Sequence, residues 1–196
     1  GSFRPGEAKK AAGAGVGTAS LRGEAQLRRI RPALRVELLR GNVHTRLAKV
    51  KDGDFDATLL ALAGLTRLGM AQAASCVLPT DDFLPAVGQG AVAIECRIAD
   101  PDTNAAIAAI ACRDTGIALE AERAFLAALD GSCRTPIAGL ATVEGESVRL
   151  RGLVLSPDGS DAAEIAELAP IAAAARLGAE CGASLRTSAP ARALGL

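Results

Sequence analysis

The chain has few aromatic side chains. They make up 2% of its 196 residues, and Trp and Tyr are absent. Because unpaired bases stack on such side chains, this scarcity argues against a nucleic-acid stacking platform. Basic and acidic residues balance at 22 each, so net charge indicates neither nucleic acid nor an anionic membrane as a partner. No apolar run reaches the length of a membrane span, and we expect no secretory leader.

Cysteine pairing and metal-ligand spacing are also missing. The five cysteines are odd in number and widely spaced, and none form a C-x-x-C pair. This pattern is typical of neither a disulfide framework nor a zinc site, so we predict no metal and a reducing, cytoplasmic location. The single histidine, His44, falls in a predicted first helical turn without a G-x-S-x-G motif, which favours a solvated side chain.

The first part of the chain alternates short apolar segments with helical ones. Apolar side chains make up 49% of the sequence, and alanine and leucine supply most of them. Alternation of this kind indicates an α/β domain with a doubly wound parallel sheet. The predicted strands are 14–17, 34–39 and 57–63, and the predicted helices are 20–30, 43–53 and 65–74.

The second part predicts a small α+β domain. The Pro85–Gly90 run marks a boundary, and 91–96 follows as one more predicted strand. In the helix predicted over 116–129, we expect Glu120, Glu122 and Arg123 on a charged face opposite the apolar one. The remaining predictions are a helix over 102–112, strands over 137–143, 148–155 and 163–168, and a final helix over 170–185.

Arginines recur beside the predicted parallel strands. Arg22, Arg40 and Arg67 each follow one strand, and Arg46 lies on the second helix. The carboxyl ends of such strands, where helix N-termini also point, are where open α/β sheets bind ligands. Guanidinium groups there predict a site for several carboxylates or phosphates. Considered alone, each of these arginines is more simply interpreted as a solvated surface residue.

A dinucleotide fold is the rival interpretation of the same region. Gly13, Gly15 and Gly17 form a glycine-rich run, and Glu37 follows at the spacing of a ribose-binding acid. The match is poor, because the glycines run into the predicted strand instead of following it. NAD binding that is lost in Glu37→Ala would support this rival.

Cys133 lies in the run Gly-Ser-Cys-Arg-Thr-Pro, where proline and glycine predict a turn. An exposed thiol beside Arg134 would have a lowered pKa and raised reactivity. A buried, inert cysteine is the structural alternative.

Four segments together resemble the porphobilinogen deaminase (hydroxymethylbilane synthase) family, and they occur in the family's order. They are 39–50, 56–70, 84–97 and 131–139. The resemblance implies a transferase of tetrapyrrole (porphyrin and haem) biosynthesis that condenses four porphobilinogen units into hydroxymethylbilane and releases ammonia. It also implies a covalent dipyrromethane cofactor, held through a thioether to Cys133.

The resemblance further implies roles for particular residues. Cofactor binding is expected at Thr18, Ser20, Arg22, Arg40, Gly64 and Gln89. Substrate carboxylates are expected at Arg40, Arg46 and Arg67. Arg123 matches a motif arginine that precedes the cofactor loop.

Two departures from the family accompany the resemblance. The family's catalytic aspartate belongs to a Ser-Met-Lys-Asp-type motif in a segment before the region matched here, and this sequence has no such motif. Asp130 is no justified substitute, so we expect no catalytic residue here and no turnover by this chain alone. The second family arginine after Ser-Leu is replaced by Gly23.

The resemblance also implies an organisation into domains. We expect a periplasmic-binding-protein-like βαβ domain over 1–86, a return segment of an otherwise missing first domain over 87–113, and the α+β domain over 114–196. The family is usually monomeric, but an uncovered return strand would favour self-association. The alternative function is a non-catalytic anion-binding module of the same fold.

Overall fold

The computed structural model of the chain describes residues 13–132 and 134–196. Two sheets organise this part of the chain. The first is parallel, with strands in the order β2-β1-β3, and the second is antiparallel, with strands in the order β4-β5-β6. The strands are β1 Gly15–Thr18, β2 Arg35–Leu38, β3 Ala57–Thr58, β4 Ile137–Glu144, β5 Ser147–Leu155 and β6 Ala162–Pro170. The prediction of a mixed α/β fold with two kinds of sheet is confirmed.

Helices connect the parallel strands and cover the antiparallel sheet. The α-helices are α1 Leu21–Ile30, α2 Val43–Lys51, α3 Leu62–Arg67, α4 Pro101–Ala108, α5 Arg113–Ala128, α6 Ala174–Arg186 and α7 Ala189–Ala193. Single 3₁₀ turns occupy Ala71–Ala73 and Ile171–Ala173. The short helix α7 was not predicted, and Ser188 caps it by accepting a hydrogen bond from the Ala191 amide.

The parallel sheet is built closely around β1. Val16 pairs with Val36 on one side and with Ala57 on the other. A methyl group at Gly17 would lie 2.5 Å from a Leu39 side-chain carbon, so only glycine fits beside that buried leucine. The Thr58 hydroxyl donates to the Gly17 carbonyl oxygen at 2.9 Å, which fixes β3 against β1.

The third parallel strand is much shorter than predicted. β3 ends at Thr58, and Leu62 and Ala63, which we predicted in the strand, open α3 instead. The reason is local, because after Thr58 the run is made of leucine and alanine, which are strong helix formers, and has no β-branched residue.

The strand predicted over 91–96 is absent from the structure. The prediction of a strand in this part of the expected return segment 87–113 is therefore wrong. Within the described ranges no strand lies beside 91–96, and a strand without a neighbour cannot satisfy its backbone groups. Val92 and Ile94 are consequently exposed, at 66% and 53%.

The antiparallel sheet is packed on both faces. One face joins α5 and α6 in a core that includes Phe125, Leu150 and Cys181. The other face places Leu153 and Leu155 against Ala25 of α1 and Leu84. The close approach of α5 and α6 depends on Gly178, where a methyl group would overlap the Ala121 carbonyl oxygen.

Candidate functional site

The end of β1 and the start of α1 form a tightly bonded turn. The Thr18 hydroxyl accepts from the Ser20 amide at 3.2 Å, and the Ser20 hydroxyl accepts from the Gly23 amide at 3.1 Å. Ser20 is therefore the N-cap of α1. Thr18 is buried and Ser20 is half-buried, so the two predicted site residues shape the turn from which α1 begins.

Arg22, in the first turn of α1, reaches across to the segment around Gln89. Its Nη1 donates to the Leu84 carbonyl oxygen at 2.6 Å, and its Nη2 donates to Oε1 of Gln89 at 3.4 Å. The guanidinium also lies over the Phe83 ring, 5.6 Å from its centre. The structure thus brings together two predicted cofactor-binding residues, Arg22 and Gln89.

Burial leaves part of the Arg22 guanidinium unsatisfied. Its Nε is inaccessible to solvent and has no hydrogen-bond partner within the part of the chain that the structure describes. Desolvation lowers the pKa of Arg22 from its ordinary value. Buried donors are normally paired in folded proteins, so the Nε of Arg22 is an exception among the described residues.

Gln26 supports this contact and was missed by the sequence analysis. Its Nε2 donates to the Leu84 carbonyl oxygen at 3.0 Å, and its Oε1 accepts from the Leu84 amide at 2.8 Å. Gln26 is 3% exposed, one turn after Arg22 on the same helix. The sequence did offer a signal, because Gln26 follows Arg22 by four residues and a helix places residues at that spacing on the same face.

Arg40 and Arg46 flank the turn that follows β2. Gly41 adopts a φ of +123°, and its carbonyl oxygen accepts from Nε of Arg46 at 2.8 Å. Asn42 caps α2 by accepting from the Thr45 amide at 2.9 Å. Within residues 13–132 and 134–196, no hydrogen bond or ion pair occupies the exposed Arg40 guanidinium.

Because β1 and β2 are parallel neighbours, Thr18 and Leu38 end at the same edge of the sheet, which we call the carboxyl edge. Arg22 follows β1 and Arg40 follows β2, so both arginines leave the sheet at this edge. The structure therefore places two arginines just after the ends of neighbouring strands, as the sequence predicted.

Arg67 does not follow its strand directly. Since β3 ends at Thr58, Arg67 lies in the last turn of α3, not just beyond the strand. It is exposed, and the described residues supply it with no hydrogen bond or ion pair. Gly64, on the same helix, is exposed too, and a methyl group there would meet no atom within 4 Å.

Cys133 lies outside the described residues, but its neighbours form a defined turn. The Ser132 amide donates to the Thr135 hydroxyl at 2.9 Å, and that hydroxyl donates to the Ser132 carbonyl oxygen at 2.7 Å. Arg134 and Arg123 are both exposed. Ser132 and Thr135 are thus bonded to each other as in a turn, while the conformation of Cys133 and the role of its thiol stay predictions.

Glu122 is buried, although we predicted it on an exposed charged face, and that prediction is wrong. Its carboxylate accepts from the Gly88 amide at 2.6 Å and from the Ala141 amide at 2.8 Å. Burial raises the pKa of Glu122, and the two amide hydrogen bonds oppose part of that effect. Glu122 precedes Phe125 and Leu129 at helical spacing, a signal that places it on the apolar face.

Two family models match most of the chain. One, described as porphobilinogen deaminase, dipyromethane cofactor binding domain, matches residues 5–105. The other, described as porphobilinogen deaminase, C-terminal domain, matches residues 117–187. The chain belongs to the porphobilinogen deaminase family.

Similar proteins from three bacteria extend this match. Porphobilinogen deaminases of Nitrobacter hamburgensis and Nitrobacter winogradskyi are each 55% identical over 175 residues, which is 89% of this chain and 55% of the relative. The Paracoccus denitrificans protein is 50% identical over 179 residues, 91% of this chain and 57% of the relative. The chain therefore spans about half the length of these curated relatives.

Family membership locates the predicted residues. Thr18, Ser20, Arg22 and Gln89 fall within the span matched by the cofactor-binding domain, together with Arg40, Arg46, Gly64 and Arg67. Cys133 falls within the span matched by the C-terminal domain, as does Glu122. The hydrogen bond that the Gly88 amide donates to the Glu122 carboxylate thus joins the two matched spans.

The rival dinucleotide site has no support in the geometry. Gly15 and Gly17 lie inside β1, and Glu37 forms an ion pair with Arg35 at 2.6 Å. His44 is exposed in the first turn of α2. In the described ranges, no group of three or more His, Cys, Asp or Glu side chains could hold a metal, and no helix could cross a membrane.

Proposed function

We propose that this chain is the cofactor-holding part of a porphobilinogen deaminase. In that role it serves the condensation of four porphobilinogen units into hydroxymethylbilane, with release of ammonia. The observation that carries the proposal is the carboxyl edge, where Arg22 and Arg40 follow neighbouring strand ends in a span that matches the cofactor-binding domain.

The described residues fit a dipyrromethane group. Each of its pyrrole units carries two carboxylates. The guanidinium groups of Arg22 and Arg40 carry positive charges that can neutralise them, and no side chain of residues 13–132 and 134–196 forms an ion pair with either group. When bound, the cofactor supplies the pyrrole carbon to which new units are joined.

The proposed roles are those that the family resemblance implies, and the contacts of the described residues support some of them. Thr18 and Ser20 shape the turn at the end of β1, while Arg22 and Gln89 hold the cofactor carboxylates. Arg40 shares the turn after β2 with Arg46, and these two bind carboxylates of the cofactor and of the growing chain. Arg67 supplies a further guanidinium for substrate carboxylates. The Cys133 thiol is the covalent attachment point.

Catalysis needs a carboxylate that we assign to no residue of this chain. We therefore expect no turnover of porphobilinogen by this polypeptide alone. Steady formation of hydroxymethylbilane by the purified chain would contradict that expectation.

The proposal also includes the domain boundaries of the chain and its cellular location. We propose a periplasmic-binding-protein-like domain over 1–86, a return segment of the family's first domain over 87–113 and a C-terminal α+β domain over 114–196. The parallel strand order β2-β1-β3 supports the first, and the gap between the matched spans supports the last boundary. The described cysteines, Cys76, Cys96, Cys112 and Cys181, are all free thiols, which supports a cytoplasmic location.

Intact mass of the chain before and after addition of preformed hydroxymethylbilane tests the proposal. We expect a gain equal to the tetrapyrrole less one water, because Sγ of Cys133 replaces the hydroxyl group as the new C–S bond forms. Cys133→Ser should abolish the gain.

Cys112 provides the matched control. It is an exposed thiol whose pKa is lowered by hydrogen bonds from Thr115, so indiscriminate alkylation would occur there. Cys112→Ser should leave the mass gain intact. A gain that survives Cys133→Ser would overturn the assignment, and reversible anion binding with no mass gain would favour the non-catalytic module.

A further inference from the structure

The Glu122 carboxylate is buried at the junction of three segments. It lies on α5, accepts from Ala141 of β4 and accepts from Gly88 in the segment 85–90. Its residue is 5% exposed, and within residues 13–132 and 134–196 no cation forms an ion pair with it. Burying an unpaired carboxylate is unfavourable for stability, so a role in positioning its partners explains its presence better than a role in stability.

The segment 85–90 is fastened along β4 by several contacts. The Gly139 amide donates to the Pro85 carbonyl oxygen at 3.0 Å, and Val87 packs against the same core as Phe125. A methyl group at Gly139 would lie 3.1 Å from a Val87 methyl, so the glycine makes room for this approach. The Glu122 carboxylate then bridges the next free amide of β4 to Gly88.

Gly88 is linked to Arg22 at the carboxyl edge through the next residue in the chain. Gln89 is the next residue, and its Oε1 accepts from the Ala86 amide at 3.3 Å as well as from Arg22. A shift of Gly88 away from β4 would therefore carry Gln89 away from the Arg22 guanidinium. Arg22 would keep only its bond to the Leu84 carbonyl oxygen.

We propose that Glu122 is a positioning residue whose carboxylate fixes Gly88 against β4 and thereby holds Gln89 against Arg22. Two amide donors approach two different oxygens, a demand that a carboxylate meets and a carboxamide does not, since its NH₂ group cannot accept. The link to cofactor binding rests on the proposed function, whereas the coupling of Glu122 to Arg22 does not.

Nuclear magnetic resonance of the full chain tests the coupling, with Glu122→Gln compared with Glu120→Gln. Glu120 is exposed on the same helix, so it is the matched control. In Glu122→Gln we expect the Gly88 amide to lose roughly tenfold or more of its hydrogen-exchange protection. The Arg22 Nε–H and Gln89 side-chain amide signals should shift with it, and Glu120→Gln should change none of them.

The chemical shifts of Arg22 and Gln89 in the folded protein distinguish a positioning role of Glu122 from a role in stability. A variant that is only less stable would leave these chemical shifts unchanged. Unshifted Arg22 and Gln89 signals in folded Glu122→Gln would overturn the proposal. If that variant fails to fold, the unsubstituted chain decides, because a Gly88 amide that exchanges at the rate of an unprotected peptide would equally contradict it.

Uptake of hydroxymethylbilane adds the second half of the test. Glu122→Gln should load roughly tenfold more slowly than the unsubstituted chain and Glu120→Gln. If the unsubstituted chain takes up no tetrapyrrole, the proposed function fails, while the Arg22 and Gln89 signals still decide the inference. Equal loading rates with shifted signals would refute the link to cofactor binding alone.

Discussion

The two sheets of this molecule differ in how much core supports them. The antiparallel sheet has strands of eight or nine residues, and α5 and α6 cover it with a continuous buried cluster. The parallel sheet has strands of four, four and two residues. All the large exposed apolar side chains in the described ranges except Leu168 lie before residue 112.

The two halves therefore have different roles in this account: the antiparallel half is the rigid scaffold, and the parallel half carries the proposed binding residues. Arg22, Arg40 and the carboxyl edge belong to the less packed half, whereas the well-packed half supplies Glu122 and the bonded pair Ser132 and Thr135. Binding groups on connecting segments commonly depend on a rigid scaffold elsewhere in the chain. Here the scaffold reaches the binding half through Glu122 and through the packing of Leu153 and Leu155 on α1.

The strongest way to break the packed half is to separate α5 from α6. Gly178→Ala would place a methyl group against the Ala121 carbonyl oxygen. We expect a loss of about 3 kcal/mol in the free energy of unfolding, because overpacking of backbone has little room to relax. Urea unfolding followed by far-ultraviolet circular dichroism measures it.

Gly116→Ala is the matched control for that change. Gly116 lies in α5 with no atom within 4 Å of an added methyl group, so alanine should stabilise the chain by about 0.5 to 1 kcal/mol. A similar loss in both variants would show that the contact between α5 and α6 is not the cause.

The exposed apolar segment of the other half should drive self-association. Ile94→Lys places a charge on it, and we expect the dissociation constant for self-association to rise roughly tenfold, as the loss of one buried isoleucine predicts. Sedimentation velocity measures the change. Leu168→Lys, on the exposed face of β6, should have no effect. The opposite pattern would assign association to the well-packed half.

The smallest expected effect concerns pH and the junction between the halves. Because burial raises the pKa of Glu122, its contribution to stability is complete below the ordinary value of 4.5 and is lost as pH rises through the folded value. Glu122→Gln removes this titration. We therefore expect the stability of the variant relative to the unsubstituted chain to improve from mildly acidic to neutral pH in urea unfolding. A constant difference would mean that the carboxyl group does not titrate with a raised pKa.

Local pattern predicted the antiparallel half well. Alternating apolar residues indicated β4 and β5 to within two residues of their observed ends, because each pairs with its neighbour in sequence. The segment 91–96 shows a similar apolar character, but its conformation depends on a neighbouring strand, which no local pattern reveals.

The site was predicted residue by residue but not in its contacts. Arg22 and Gln89 were both expected at the cofactor, yet 67 positions separate them in the chain, so their hydrogen bond could not be anticipated. Glu122 was predicted on the charged face of the helix because it is an acidic residue. Its spacing of three residues from Phe125 instead places it on the apolar face. Its partners, the amides of Gly88 and Ala141, are backbone groups that leave no mark in the sequence.

Hydrogen exchange of the whole chain, with and without hydroxymethylbilane, tests the separation of support and binding most directly. We predict that α5, α6 and the strands β4 and β5 exchange slowly in both conditions. Added tetrapyrrole should slow exchange at the turns around Ser20 and Gly41 and in the segment 85–90. Protection gained only within the antiparallel half, or no change at the carboxyl edge, would contradict this account.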